Sequence, residues 1–301
     1  MAHGGGPVMK APKRSHMGRI FTRGKRRHII KAHLSSLVWS LRRSTPIPAE
    51  EIPAQLIFTV TNGRSGSNTL YQLFNCISCV EAHHESRPSY HLLLRNVQHR
   101  EILAEAFLRS IKVPHIQETD KQFYFDASHF FCKGYLEPAL KIGLRPSLVI
   151  LRRDRRKIAL SLFRLQTIPG RTKKGLKFYL SPDSATLTEL PGHEDLSDYQ
   201  MCFWHVLEIE ARQDHYPGLI EEHGGTVVET SVEQLNDEGE FERILWDLGI
   251  PITDADKKRI EEVRGAYFNT KSDKRRSEDI DAGSLDEQEQ EVLARIRLSR
   301  L

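Results

Sequence analysis

Leu56, Ile57, Phe58 and Val60 crowd the segment from Gln55 to Thr61, the near-continuous apolar pattern of a strand covered on both faces of a parallel sheet. Leu70, Leu73, Phe74 and Ile77 follow at three- and four-residue spacing, which predicts a helix beginning at about Ser67. The eight residues between, Asn62-Gly63-Arg64-Ser65-Gly66-Ser67-Asn68-Thr69, are small or polar and contain one cation. Glycines let the backbone approach a ligand, and a helix start turns unpaired N–H groups and a positive dipole end to the same point. The pattern predicts an anion site.

The rest of the chain alternates in the same way. A second strand is expected to end within Cys79–Pro88, a helix to run from Arg95 to Ser110, and a third strand to run from Phe123 into Asp126, Ser128 and His129, residues placed to line the cleft or to cap a turn. Pro146–Leu151 reads as a further strand, and Arg152–Arg164 as charged residues leading into a helix. Leu165–Pro191 is a long insertion, expected to act as a lid or to select an acceptor. A helix over Asp198–Arg212 carries Tyr199, Trp204 and Glu208, candidates to approach a nucleotide, although an aromatic at helical spacing is by default core. A strand over Gly225–Ser231, a helix over Phe241–Gly249, a charged helix after Pro251 and a C-terminal helix opening at Ser284 with capping-box spacing complete the pattern.

Strands that alternate with helices predict one α/β domain, a three-layer sandwich around a central parallel sheet. We expect that domain over 50–270, a basic arm over 1–49, and a charged linker and C-terminal helix over 271–301.

Charge sharpens this division. Residues 1–49 hold 11 Lys/Arg and no Asp or Glu, leaving 33 of the 44 basic residues against all 40 acidic ones in the remainder, so the arm is formally +11 and the body −7. Ile20–Arg43 mixes apolar and basic residues as an amphipathic helix would. The arm therefore suits an anionic membrane surface or an organellar transit segment, and otherwise a loose extension. No run of about 18 apolar residues predicts a membrane span. Cys76, Cys79, Cys132 and Cys202 form no disulfide framework, and Cys76-x-x-Cys79, one turn apart in the predicted helix, lacks a second pair for zinc. Buried thiols in a reducing, cytoplasmic setting are expected, with no metal and no nucleic-acid partner.

The 62–69 loop excludes two familiar chemistries. A nucleoside-triphosphate loop places Lys-Ser/Thr after its last glycine, and this one does not. A nucleophile elbow needs its second glycine one place later. The second basic element, Arg152-Arg153-Asp154-Arg155-Arg156-Lys157, ends a strand and opens a helix that carries Ser161, and so offers a second phosphate a place.

Together these two segments resemble the sulfotransferases that use 3′-phosphoadenosine 5′-phosphosulfate (PAPS), most closely the carbohydrate and tyrosylprotein branches. Gly63-Arg64-Ser65-Gly66-Ser67 is similar to their 5′-phosphosulfate loop. Arg153 to Ser161 keeps the eight-residue spacing of their 3′-phosphate motif, although Arg155 stands where many members have Pro. The resemblance covers roughly Pro53–Lys271 and implies a P-loop-NTPase-like fold. It implies PAPS held by Arg64, Ser65, Gly66, Ser67, Asn68 and Thr69 at one end and by Arg153 and Ser161 at the other. Glu85-Ser86-Arg87 is similar to the segment in which a Glu is general base and an Arg assists, so Glu85 and Arg87 join Arg64 as expected catalytic residues. His83 or His84 is the alternative base. Lys271 and Arg275 are expected to return to the 3′-phosphate. The acceptor is some hydroxyl: sugar, lipid, small molecule or tyrosine. A magnesium-dependent phosphotransferase and a non-catalytic nucleotide-binding scaffold are the competing readings.

Overall fold

The computed structural model describes residues 27–36, 46–85, 87–268 and 282–299. Five strands, β1 (Gln55–Val60), β2 (Val80–His83), β3 (Phe123–Asp126), β4 (Ser147–Arg152) and β5 (Val227–Ser231), form one sheet in the order β2-β3-β1-β4-β5, and every pair in it is parallel. The chain leaves β1 for one side of the sheet and later returns to the other. The loop after β1 thus sits where the strand order reverses, the place where open α/β sheets bind ligands.

Both faces of the sheet are covered, as the unbroken apolar run of β1 requires. Ile57 points to the side of helix α1 (Ser67–Phe74), with Phe125, Val149 and Val228. Leu56, Phe58, Val60, Leu148 and Ile150 point to the other side. On the first face Phe74 stacks on Phe125 at 3.7 Å between ring centroids and meets Phe241 edge-on at 5.2 Å. The architecture is α/β, with helices on both faces of a central parallel sheet.

Several predicted elements differ in detail. Helix α1 stops at Phe74 because its last turn tightens into i→i+3 bonds, Cys76 N–H to Leu73 and Ile77 N–H to Phe74. Cys76 and Cys79 consequently lie beyond the helix, and all four thiols are free. The continuous helix expected over Arg95–Ser110 is broken into Leu94–Val97 and α2 (Glu101–Phe107), after which Leu108–Lys112 widens into a π turn. Pro114 has no N–H to donate back along this ladder. The wide turn carries Lys112 to a buried ion pair with Asp126 at 2.8 Å, which removes Asp126 from the cleft. Helix α3 (Leu136–Lys141) leads to β4, and α4 (Arg155–Arg164) follows it.

The insertion is folded down rather than splayed. It contains α5 (Lys173–Phe178) and precedes α6 (Asp198–Glu222), which a Ser197–Gln200 capping box opens and which runs ten residues past the expected end. Wholly buried Glu208 of α6 accepts from the Leu187 amide (3.1 Å), the Thr188 amide (2.8 Å) and the Thr188 hydroxyl (2.7 Å), and pairs with Arg212 at 2.7 Å. Arg212 in turn donates to the Cys132 and Ala185 carbonyls. The three α6 residues expected near a nucleotide are therefore engaged elsewhere: Glu208 pins the insertion, Trp204 is wholly buried core, and the Tyr199 hydroxyl meets Glu289.

Helix α7 (Glu238–Asp247) and α8 (Asp254–Phe268) cover the α1 face. Helix α9 (Ala282–Arg295) begins two residues before the capping-box serine and docks on α6, burying Leu285 and Val292. Residues 27–36 are helical, with Ala32 inside and Ile30 and Leu34 exposed. Arm residues 1–26 and 37–45 and the candidates Lys271 and Arg275 lie outside the described residues. Among the described residues no helix is long and apolar enough to cross a membrane.

Because Glu208 is the buried counter-charge of Arg212, Glu208→Ala is expected to cost about 3–5 kcal/mol of unfolding free energy, the loss typical of breaking a buried pair from one side. Urea unfolding followed by circular dichroism checks this, and Glu208→Gln, which fills the same space and keeps one oxygen to accept either the Leu187 or the Thr188 amide, is expected to lose less.

Candidate functional site

The carboxyl ends of β1, β2, β3 and β4 all meet one edge, and a cavity of about 430 Å³ opens there. That volume falls within the usual range of ligand clefts. Gln213 of α6 fixes the two central strand ends against each other, donating from Nε2 to the Val60 carbonyl (3.2 Å) and the Leu151 carbonyl (3.1 Å). The loop after β1 and the basic run after β4 are thereby held side by side.

The loop after β1 is wound through left-handed backbone, with φ of 78° at Gly63, 62° at Arg64 and 83° at Gly66. Glycine is required twice for space as well as for torsion. A Cβ on Gly66 would lie 2.8 Å from a Val232 methyl, and one on Gly63 would lie 3.0 Å from the His129 ring. Gly66 is the N-cap of α1 and supplies no side-chain cap, and Ser67, Asn68 and Thr69 of the first turn line the cavity. Ser65 is wholly buried and braces the loop by donating to the Gly63 carbonyl at 3.2 Å, a structural part rather than a contact with the cavity.

The two motifs meet. Arg64 Nε donates to Ser161 Oγ at 3.2 Å, and Arg153 Nη1 donates to the Arg64 carbonyl at 2.6 Å. The neighbours of Arg153 are all neutralised. Arg152 pairs with Asp214 (2.7 Å) and Glu229 (2.5 Å), Arg155 with Glu210 (2.6 Å), Arg156 with Asp286 and Glu289, and Lys157 faces Glu233 at 3.9 Å. The α4 N-terminus is also self-satisfied, since Asp154 accepts the Lys157 amide at 2.8 Å. The second anion subsite expected at that helix start thus reduces to Arg153 and Ser161. Among the described residues Arg64 and Arg153 alone in this group have no carboxylate partner, and buried Arg153 Nε has no hydrogen-bond partner. Two like charges held together without a counter-ion favour an anion between them.

Opposite the arginines stand the titratable groups. Glu85, at φ 52°, reaches the cavity wall, and its Oε1 lies 3.3 Å from His129 Nε2. His84 lines the wall and contacts Ser67 Oγ at 3.2 Å, whereas His83 turns away to Glu81 at 2.8 Å. Arg87 is exposed and absent from the wall; the chain turns at this point, and Pro88 lines a separate hollow with His28 and Lys31. On the wall itself, the group in contact with Glu85 is His129. Ser86 lies outside the described residues.

His129, expected either to line the cleft or to cap a turn, lines the cavity. It follows β3 at the sheet edge, packs on Gly63, and is buried, which together with Lys133 and His205 holds its pKa well below the ordinary histidine value. Its Nδ1 lies 2.7 Å from Lys133 Nζ. Burial brings the Lys133 ammonium down to about 7. Phe130, Phe178, Tyr179 and Leu165 complete the wall, so the insertion contributes an aromatic side opposite the loop. The donor set fits a phosphorylated or sulfonated ligand: backbone amides, two unpaired guanidiniums, and a carboxylate–imidazole pair across from them.

No protein-family model matches the chain, and no curated protein matches it.

The unpaired arginines generate a direct expectation. Millimolar inorganic pyrophosphate is expected to raise the thermal midpoint of the wild type by several degrees, as ligands that bind only the native state do. The effect should disappear in an Arg64→Ala, Arg153→Ala double variant, measured by differential scanning fluorimetry at low ionic strength.

Proposed function

We propose that this chain is a PAPS-dependent sulfotransferase that carries a sulfuryl group to a hydroxyl acceptor. The observation that carries this reading is the convergence of Arg64 and Arg153, neither with a carboxylate, on a cavity whose opposite wall holds Glu85 and His129. A nucleotide with anionic groups at both ends satisfies both guanidiniums at once, and the absence of Lys-Ser/Thr in the loop speaks against a magnesium-nucleotide chemistry.

In this mechanism the amides of Ser67, Asn68 and Thr69 and the Arg64 guanidinium hold the phosphosulfate, and Arg153 with Ser161 holds the 3′-phosphate. The acceptor oxygen forms a bond to sulfur as the bond from sulfur to the phosphate oxygen breaks. Arg64 neutralises charge on the departing phosphate oxygen. The acceptor proton passes to the Glu85–His129 pair, among the described residues the only carboxylate and imidazole in mutual contact on the cavity wall. Positioning and charge stabilisation do most of the work, since sulfuryl transfer, like phosphoryl transfer, asks little covalent chemistry of the protein. The aromatic side formed by Phe130, Phe178 and Tyr179 faces the acceptor.

Incubation with PAPS labelled with ³⁵S and a panel of phenols, sugars and tyrosine peptides is expected to yield a labelled acceptor. Arg64→Ala should reduce kcat by about 10²–10³, the usual cost of removing one transition-state donor. Arg153→Ala should act mainly on KM for the donor. Labelled product from γ-³²P ATP with magnesium would instead support a phosphotransferase, and nucleotide binding without transfer to any acceptor would support a scaffold.

A further inference from the structure

Lys133 is wholly buried and makes no ion pair within contact distance among the described residues, an expensive arrangement that its surroundings explain. Its Nζ has three partners: the Asn62 carbonyl at 3.4 Å, the Phe178 carbonyl at 3.4 Å and His129 Nδ1 at 2.7 Å. It also lies over the Tyr179 ring, 4.5 Å from the centroid. Asn62 opens the loop after β1 and Phe178 ends α5, so one amine ties that loop, the imidazole and the insertion together.

The two carbonyls can only accept. An ammonium has three hydrogens, enough for both carbonyls and for His129 Nδ1. Nδ1 is then bare, Nε2 carries the imidazole proton, and Nε2 donates to Glu85 Oε1 at 3.3 Å. A neutral amine has two hydrogens, which the carbonyls consume, and its lone pair accepts from Nδ1–H. Nε2 is then bare and faces the cavity.

Resting on the sulfotransferase reading above, we propose that Lys133 is a positioning residue whose protonation selects the His129 tautomer and thereby the atom that takes the acceptor's proton. With Lys133 charged, Glu85 takes it. With Lys133 neutral, His129 Nε2 takes it while Nδ1–H moves to Lys133 Nζ. The acceptor oxygen joins sulfur, the phosphate oxygen leaves, and the proton ends on an ammonium with no imidazolium formed in a buried site. In this second state Glu85, with its side chain 38% exposed, has room to turn to solvent.

The other groups around the pair do not compete for these bonds. His84 is engaged by Ser67, and His91 by Ser89 at 2.7 Å. Among the described residues His205 of α6 has no hydrogen-bond partner at either ring nitrogen, and burial holds it neutral. Tyr179 offers Lys133 its ring face. Cys132 and Glu85 favour the ammonium and Arg212 disfavours it, but burial outweighs all three and leaves Lys133 titrating at about 7.

The sign follows. As pH rises through about 7, Lys133 loses its proton, Nδ1 gains one from the water-equilibrated site, and Nε2 becomes a base. Histidine-selective ¹⁵N labelling with two-bond ¹H–¹⁵N NMR reads the tautomer without any turnover. His129 is expected to pass from the Nε2–H form at pH 6 to the Nδ1–H form at pH 8.5. In Lys133→Arg, which stays charged, it should hold the Nε2–H form throughout, Glu85 should take the proton at every pH, and the change of base that the wild type shows in its pH–rate profile near 7 should disappear. In Lys133→Met the tautomer should no longer depend on pH. A wild-type His129 that keeps one tautomer from pH 6 to 8.5 overturns the proposal, even if neither variant folds. So does a Lys133→Arg enzyme with the wild-type pH profile. A tautomer that switches in a protein transferring no sulfuryl group supports the switch and refutes the transfer reading, so the two fail separately.

Discussion

Two arginines that line one cavity and, among the described residues, have no carboxylate partner define what the edge of this sheet can do. Arg64 and Arg153 are brought together by chain segments 89 residues apart, joined through the hydrogen bond from Arg153 Nη1 to the Arg64 carbonyl. Such a pair repels itself, and the fold spends other interactions to keep it. Gln213 holds β1 to β4 at their carboxyl ends, and left-handed turns at Gly63, Arg64 and Gly66 bend the intervening loop over the cavity. The basic residues around Arg153 meet acids from α6, β5 and α9. The result is a concentration of positive charge on one side of the cavity.

The strand, loop and helix at 55–74 were legible because both faces of β1 are buried and because α1 repeats at helical spacing; periodicity reports such burial directly. Selection of Arg153 from a run of five basic residues was legible only through the family resemblance. Its physical reason lies in Asp214, Glu210, Glu229 and Glu289, acids remote in sequence that neutralise the neighbours and leave Arg153 alone. Helix 95–110 misled because its apolar repeat continues across breaks that backbone hydrogen bonding imposes around Gln98 and before Pro114. Trp204 and Glu208 were ambiguous for a related reason: α6 is buried nearly all round, so spacing on it cannot tell the cavity side from the core side.

His129 and Lys133 were missed as a pair although they stand four residues apart. Their segment, 129–135, is a succession of turns rather than a helix, so helical spacing carried no meaning there. What joins them is the burial forced by Gly63 on one side and by Tyr179 on the other. The insertion, pinned by Glu208 and Arg212, therefore reaches the chemistry by two routes, through its aromatic side chains on the cavity wall and through the Phe178 carbonyl on Lys133. On the proposed reading, the segment that meets the acceptor is mechanically continuous with the groups that take its proton.

The central claim is that Arg64 and Arg153 serve one ligand. Isothermal titration of adenosine 3′,5′-bisphosphate into the wild type, Arg64→Ala, Arg153→Ala and the double variant measures their coupling. The account predicts that each single change weakens binding at least tenfold and that the double variant loses less than the product of the two losses, because both arginines hold one molecule. Independent losses that multiply, or a bisphosphate affinity indifferent to either substitution, would contradict it.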